Sequence, residues 1–201
     1  GEDEPIEETD HALDRWGALW NKNSFPIEPI KAYLHTQHEK FWLFHPERPF
    51  GQALSAAKGT EYSAAKLIGE LSESSNKIRL FPPRTGKDKT EISYAEAARW
   101  LLYVNGYDDT SAKPKGKNLP SPGAGWLGKL GLITAKGKTL FETLMLNLVL
   151  LKEDYEPWEP NVPAWELPKA REGERIEITI PDNPAALLTL QSRRLLLERN
   201  N

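Results

Sequence analysis

The sequence predicts an α+β fold, with mixed helices and short strands joined by long irregular loops, as part of a larger domain. Two helix-capping boxes begin at Ser93 and Thr139, each with a glutamate three residues later. Between these helices lies the Gly/Lys-rich region 106–138, which holds seven of the 14 glycines. So long a connection is uncommon in a compact domain unless it is functional. Residues 175–180 alternate charge with isoleucine, as in a half-exposed strand.

The remaining elements follow from apolar spacing and from helix start and stop residues. Apolar periodicity predicts helices over 11–20 and 26–39, and the first capping box predicts a helix over 95–105, stopped by Gly106. The second box predicts a helix reaching about residue 152. Its apolar stripe would consist of Leu140, Leu144, Leu148 and Leu151.

Three further segments complete the prediction. The aromatic segment 41–52 is too irregular for a helix and is expected to be extended and pinned into the core. The Pro/Trp-rich connector 153–170 is expected to pack along the core surface. Asn183 before Pro184 predicts a short helix, and 195–197 predicts a final apolar strand.

Charge is unevenly distributed along this chain of 201 residues, whose net charge is −3. Residues 1–10, expected to be flexible, carry six acids and no base, whereas 110–141 carries six lysines and no acid. Residues 77–89 carry five bases against Asp88 alone. Phosphate responds to charges within about 8 Å at physiological salt. The local patches therefore predict nucleic-acid binding despite the net charge.

Several classes of protein are disfavoured by what the sequence lacks. Without cysteine there are no disulfides, thiolate nucleophiles or cysteine-based zinc sites, which agrees with a cytoplasmic location. No apolar run reaches the roughly 20 residues of a membrane span, and no signal peptide is recognisable. Gly1 in place of Met, and an ending of Glu198-Arg199-Asn200-Asn201 right after the apolar run 195–197, lead us to expect a piece of a longer chain.

No motif predicts an enzyme, a cofactor or a metal. His35 and His38 could share a metal with Glu39 in a hydrolase, but surface histidines at a helix end explain the pair more simply. The glycines of 123–128 resemble a dinucleotide fingerprint, yet no strand precedes them, so we interpret 125–128 as a structural turn.

Binding therefore remains, through two basic segments. Alternating lysines with a glycine allow an extended backbone to approach phosphate closely. In the other segment, an apolar pair flanked by cations can stack on bases or wedge between them, although such a pair could instead anchor the loop to the core. The candidate nucleic-acid-binding residues are Arg79, Leu80, Phe81, Arg84, Lys87, Lys89, Lys113, Lys115, Gly116 and Lys117.

Landmarks spread along the chain resemble one protein family. They include Phe41–Phe44, Arg48–Gln52, Ala95–Leu102, Gly125–Gly128 and Gly137–Leu148, followed by Trp165-Glu166 and Leu188–Arg194. In this order they resemble the large subunit, the CasA family, of the type I-E CRISPR surveillance complex Cascade, from about residue 16 to residue 199.

The resemblance implies a non-catalytic subunit of an RNA-guided antiviral complex, of which this chain would be an incomplete N-terminal domain. Implied partners are double-stranded target DNA, CRISPR RNA, other Cascade subunits and the helicase-nuclease effector. The family reads the protospacer-adjacent motif and helps to open the duplex. Its loops would map to 77–89 and 108–118, although 108–118 holds only Gly116 where relatives carry a glycine run. A protein–protein scaffold that does not contact nucleic acid is the alternative.

Overall fold

The structure is a computed structural model that describes residues 8–73, 78–107, 125, 127–128, 131–158, 161–167, 181–191 and 193–199. Helices are its main regular element within these ranges. They are α1 (Thr9–Lys22), α2 (Ile27–Thr36), α3 (Ala64–Leu67), α4 (Lys87–Thr90), α5 (Tyr94–Gly106), α6 (Leu140–Leu146) and α7 (Pro184–Leu188). Short 3-10 helices span His38–Phe41, Leu54–Lys58 and Ala164–Glu166.

Strands are nearly absent from the described ranges, where an isolated antiparallel bridge joins Leu151 to Pro157. The predicted α+β class is therefore confirmed for its helices and irregular loops and not for its strands. The predicted strand 175–180 lies outside the described residues, as do residues 1–7. No described helix combines the length and the apolar character that a membrane crossing requires.

Helix α5 is the central element of the described core. The Ser93 hydroxyl accepts a hydrogen bond from the Glu96 backbone N–H at 3.2 Å, so the helix begins where the capping box predicts. Leu101 is fully buried, and α5 packs against α3. Trp100 and Ile92 cover a small cluster of buried residues, namely Ala65, Ile68 and Leu71.

Helix α1 packs against α6 through aromatic rings. Trp16 stacks on Trp20 with centroids 5.1 Å apart, and Trp20 also contacts Phe141. The Trp16 indole N–H donates to the Met145 carbonyl at 3.0 Å. Here α1 extends the predicted helix 11–20 at both ends, whereas α2 ends at Thr36, before the predicted residue 39.

The helix predicted to reach residue 152 ends at Leu146 instead. The Asn147 carboxamide explains the ending, because it binds the backbone of Ala135 in both directions, accepting at 2.9 Å and donating at 2.7 Å. The predicted stripe is also wrong: Met145 is the buried residue of α6, while Leu140 and Leu144 are largely exposed. The Asn147 side chain thus pairs with backbone groups, and the helix does not continue.

Within the described ranges, the predicted strand 195–197 pairs with no other strand. Its neighbours are two buried side-chain amides and one backbone group. Asn105 accepts from the Arg193 N–H at 3.1 Å, and Gln52 accepts from the Leu197 N–H at 2.7 Å. The Leu195 carbonyl accepts from the Ala53 N–H at 2.9 Å. Carboxamides therefore provide pairing that a neighbouring strand would provide in a sheet.

The aromatic segment 41–52 contributes to the core as predicted. Phe41 packs edge-on against Phe50 with centroids 5.4 Å apart, and Trp165 of the connector lies at the same distance from Phe41. Arg48 fastens the connector by donating to the Leu167 carbonyl at 2.5 Å. Only part of the segment is covered, since Trp42 is half exposed.

The described glycines of the 125–128 segment pack against the end of α5. A Cβ on Gly125 would lie 2.5 Å from the Gly106 carbonyl oxygen, and a Cβ on Gly128 would lie 2.5 Å from that of Tyr107. Both distances are too short for any side chain. Glycine is therefore required at both positions for close backbone packing. The interpretation of 125–128 as a turn is wrong for Leu127 and Gly128, which are helical.

Candidate nucleic-acid interface

The loop 78–90 is fixed at both ends to a buried carboxylate, that of Glu73. The Arg79 backbone N–H donates to Glu73 Oε1 at 3.1 Å, and the Lys89 ammonium forms a salt bridge with Glu73 Oε2. The Arg79 side chain turns inward as well, donating from Nε to the Leu71 carbonyl at 2.9 Å. Both ends of the loop therefore share one anchor.

Hydrogen bonding keeps this anchor ionised. The Glu73 carboxylate is only 5% exposed, and such burial on its own would raise its pKa. The Lys89 hydrogen bond outweighs desolvation, with help from the Arg79 N–H, so the pKa of Glu73 lies below its ordinary value. The loop thus depends on a charged carboxylate at neutral pH.

Arg84 fixes the middle of the loop to helix α5. Its guanidinium forms salt bridges with Glu70 and with Glu96, the second at 2.5 Å from Nη1 to Oε1. The Trp100 indole N–H donates to the same Glu96 oxygen at 3.2 Å. The Arg84 hydrogen bond, followed by that of Trp100, lowers the pKa of Glu96. The Glu96 carboxylate therefore bonds to Arg84 of the loop and, within α5, to Trp100.

The apex of the loop is apolar and faces solvent. Leu80 is 90% exposed and Phe81 is 93% exposed, more than almost any other large apolar residue described. The possibility that this pair anchors the loop to the core is therefore wrong, because ion pairs hold the loop instead. We call Leu80 and Phe81 the apolar tip.

The structure separates the predicted binding residues of this loop into two groups. Arg79, Arg84 and Lys89 engage protein acceptors and hold the loop in place. Lys87 is largely exposed and makes only a loose 3.9 Å pair with Glu91, so it remains available to a ligand. The predicted residues Lys113, Lys115, Gly116 and Lys117 lie outside the described residues.

The acidic partners were not part of the predicted site. Glu70 and Glu73 occur in a polar stretch with weak periodicity, and Glu96 has a sufficient local explanation as part of a capping box. The one available signal was charge balance, since three acids lie close in sequence to a loop with four bases between 79 and 89. That signal does not identify the pairs.

A small recess behind the loop does not suit phosphate. It has a volume of about 230 Å³ and is lined by Arg84, Asp88, Glu91 and Glu96. Three carboxylates against one guanidinium give it a negative balance, and that guanidinium is already engaged. Any nucleic-acid contact is therefore favoured at the solvent-facing side of the loop.

The histidines show no metal-binding arrangement. His35 and His38 are exposed, and no group of three or more metal-binding residues occurs among the described residues. His45 Nδ1 accepts from the backbone N–H groups of Glu47 and Arg48 at 3.1 and 3.0 Å. That histidine therefore closes a turn.

Comparison with known proteins assigns this helix-rich chain to the CRISPR-associated proteins. The family model described as CRISPR-associated protein Cse1 matches residues 5–201. The chain therefore belongs to the Cse1 family, also called CasA, of type I-E CRISPR systems. The resemblance found in the sequence is confirmed.

The similar proteins come from Thermus thermophilus. The CRISPR-associated protein CasA/Cse1 of that organism is 34% identical over 168 residues, covering 77% of this chain and 30% of the relative. The structure of T. thermophilus CasA (Cse1) matches with a TM-score of 0.63 and 26% identity, over 95% of this chain and 37% of that one. A crystal structure of a CRISPR-associated protein from the same organism matches with a TM-score of 0.60 and 26% identity, over 92% and 35%. This chain thus spans about a third of their length.

Proposed function

We propose that this chain is a non-catalytic, nucleic-acid-binding part of a Cascade large subunit, acting in RNA-guided antiviral defence. It would contribute to recognition of the protospacer-adjacent motif, to binding of target duplex DNA and to recruitment of the helicase-nuclease. The observation that carries the proposal is the apolar tip, held in solvent by a loop whose bases are engaged by acids. Family membership supports it independently.

The braced loop holds the apolar tip in place before any ligand binds. Two apolar side chains exposed to water are unfavourable by themselves, so a loop braced to expose them suits a surface that covers them on binding. An apolar wedge can enter between base steps of a duplex, at a cost in base stacking. Lys87, together with Lys113, Lys115 and Lys117, would neutralise phosphate and position the duplex.

Duplex titration at several salt concentrations tests the lysines. Charge reversal of Lys113, Lys115 and Lys117 should weaken duplex binding and reduce the log–log salt slope by about 0.9 for each phosphate that is no longer neutralised. The matched control reverses three exposed lysines that lie outside both segments in sequence, namely Lys22, Lys31 and Lys58. Equal affinity and salt dependence in both triple variants would remove these lysines from the proposal.

A second titration tests the apolar tip. Replacing Leu80 and Phe81 by alanine should weaken binding with little change in salt slope, because no charge is removed. The control replaces Leu13 and Ile27, which are also more than half exposed, by alanine. If both double variants bind the duplex as the parent does, the tip has no role in binding.

The alternative, a protein–protein scaffold, also has an observation in its favour. Leu140, Leu144 and Leu148 leave an apolar surface along and beyond α6, and Ile27 and Leu34 do so on α2. A chain that binds another Cascade subunit but no duplex, with binding abolished by polar substitutions on α6, would establish the scaffold function instead.

A further inference from the structure

We propose that an aromatic column at the C-terminal end of α5, formed by Trp100, Tyr103 and the following Tyr107, stacks against an unpaired nucleobase, with Arg99 binding the adjacent phosphate. The ligand class is single-stranded nucleic acid. This inference deepens the proposed function and rests on it, since opening a duplex releases unpaired bases. It concerns residues separate from the apolar tip.

The three rings form a continuous column along one flank of the helix. Trp100 meets Tyr103 edge-on, with centroids 5.5 Å apart and an interplanar angle of 88°. Tyr103 then stacks on Tyr107 at 6.2 Å and 24°. Tyr107 is the end of the column and is 42% exposed. A planar base added there would continue a stack that the protein has already begun.

The column is held rigidly at its base. A Cβ on Gly69 would lie 2.3 Å from the Tyr103 ring and 2.8 Å from the Trp100 ring, so only glycine lets both rings settle there. Glu96 accepts from the Trp100 indole N–H at 3.2 Å. At the other end, Gly128 packs against the Tyr107 carbonyl. Fixed rings lose little conformational freedom when a base stacks on them.

Arg99 supplies the charge that such a ligand needs. It is exposed, lies four and eight residues before the two tyrosines, and so shares their flank of the helix. Within the described part of the chain it takes part in no salt bridge. Glu96, one turn earlier, is already bound by Arg84. The guanidinium is therefore available for phosphate.

Stacking at an exposed ring selects single strands over duplexes. In a duplex both faces of each base are covered by neighbouring pairs, whereas an unpaired base has a free π-face. Selection by stacking is also tolerant of sequence, because every base has such a face. The column would thus hold a displaced or unpaired strand without reading it.

The test measures binding of the 201-residue chain to a fluorescent poly-dT strand of about 20 nucleotides, long enough for one binding site, by anisotropy. We expect Tyr107→Ala to raise the Kd roughly tenfold, and Tyr107→Trp to retain affinity, because the wider ring preserves the stack. Arg99→Gln should reduce the log–log salt slope by about 0.7, the value for one single-strand phosphate. Tyr155→Ala, at a tyrosine that is 70% exposed and is not part of α5, is the control and should bind like the parent.

The variants could overturn the inference in two ways. One is equal binding of poly-dT by Tyr107→Ala, Tyr155→Ala and the parent. The other is loss of binding in Tyr107→Trp as great as in Tyr107→Ala while thermal unfolding stays unchanged, since stacking predicts rescue. If the parent binds duplex through the apolar tip but not poly-dT, the column fails and the proposed function stands. If neither ligand binds, both fail.

Discussion

Arg84 donates from Nη1 to Glu96 Oε1 at 2.5 Å, and this contact joins the loop 78–90 to helix α5. The two side chains are each about a quarter exposed, which places the pair between a surface salt bridge and a buried one. Exposed pairs stabilise proteins little, whereas a partly buried carboxylate that loses its partner is costly. Several consequences can be measured.

Removal of Arg84 should release the loop. In Arg84→Ala, Glu70 and Glu96 lose a shared cation, so we expect faster proteolytic cleavage within 78–90 and a lower thermal midpoint. Limited proteolysis with mass spectrometry locates the cut. The control is Lys87→Ala, which breaks only the exposed 3.9 Å pair with Glu91. Equal cleavage rates in both variants would show that Arg84 does not brace the loop.

Acid should weaken the salt bridges that Glu73 and Glu96 form with the loop. The pKa values of Glu73 and Glu96 are lowered in the folded chain, while the unfolded value is about 4.3. Their stabilisation is therefore fully present above the unfolded pKa and is lost as pH falls through the folded pKa values. Urea unfolding between about pH 7 and pH 3 should show this loss. In Glu73→Gln the acid dependence should become shallower, and an unaltered dependence would contradict the assignment.

Two glycine substitutions should have opposite effects. Gly125→Ala places a Cβ 2.5 Å from the Gly106 carbonyl and should destabilise the chain by about 1–3 kcal/mol. Gly17→Ala, within α1 and with nothing within 4 Å of the new Cβ, should stabilise it by about 0.5–1 kcal/mol. Denaturant midpoints measure both. An unchanged denaturant midpoint in Gly125→Ala would mean that this glycine is not tightly packed against α5.

Substitution of Gln52 should loosen the extended segment 193–199. This side chain is 2% exposed and serves both the Leu43 carbonyl and the Leu197 N–H, each at 2.7 Å. Gln52→Ala leaves both groups unpaired and should cost about 1–3 kcal/mol in the free energy of unfolding. Gln37→Leu is the control, because the buried Gln37 Oε1 has no partner in the described structure. A loss as large in the control would point to packing and not to hydrogen bonding.

The sequence predicted best what local chemistry determines. The caps at Ser93, Thr139 and Asn183 each accept the expected backbone N–H, because capping needs only a hydroxyl or amide at the right offset. Family membership was recognisable for a different reason, since it rests on the order of landmarks and not on any single motif.

Predictions failed where a distant partner decides the outcome. α6 stops early because Asn147 binds Ala135, 12 residues away, and apolar spacing contains no trace of that bond. Tertiary folding likewise brings protein acceptors to Arg79, Arg84 and Lys89 that the sequence did not reveal, while their contact with nucleic acid stays a prediction. A charged side chain pairs with the nearest opposite charge in the folded chain. A count of charges along the sequence does not contain those distances.

The two buried carboxamides beside segment 193–199 have a consequence for solvent exchange. Amide hydrogens exchange with water only when their hydrogen bonds open. The Arg193 and Leu197 N–H groups are bound by Asn105 and Gln52, whereas the Leu196 N–H has no acceptor within the described ranges. Slowly and rapidly exchanging amides therefore lie side by side in this segment. This is the exchange pattern of an edge strand, produced here by carboxamides.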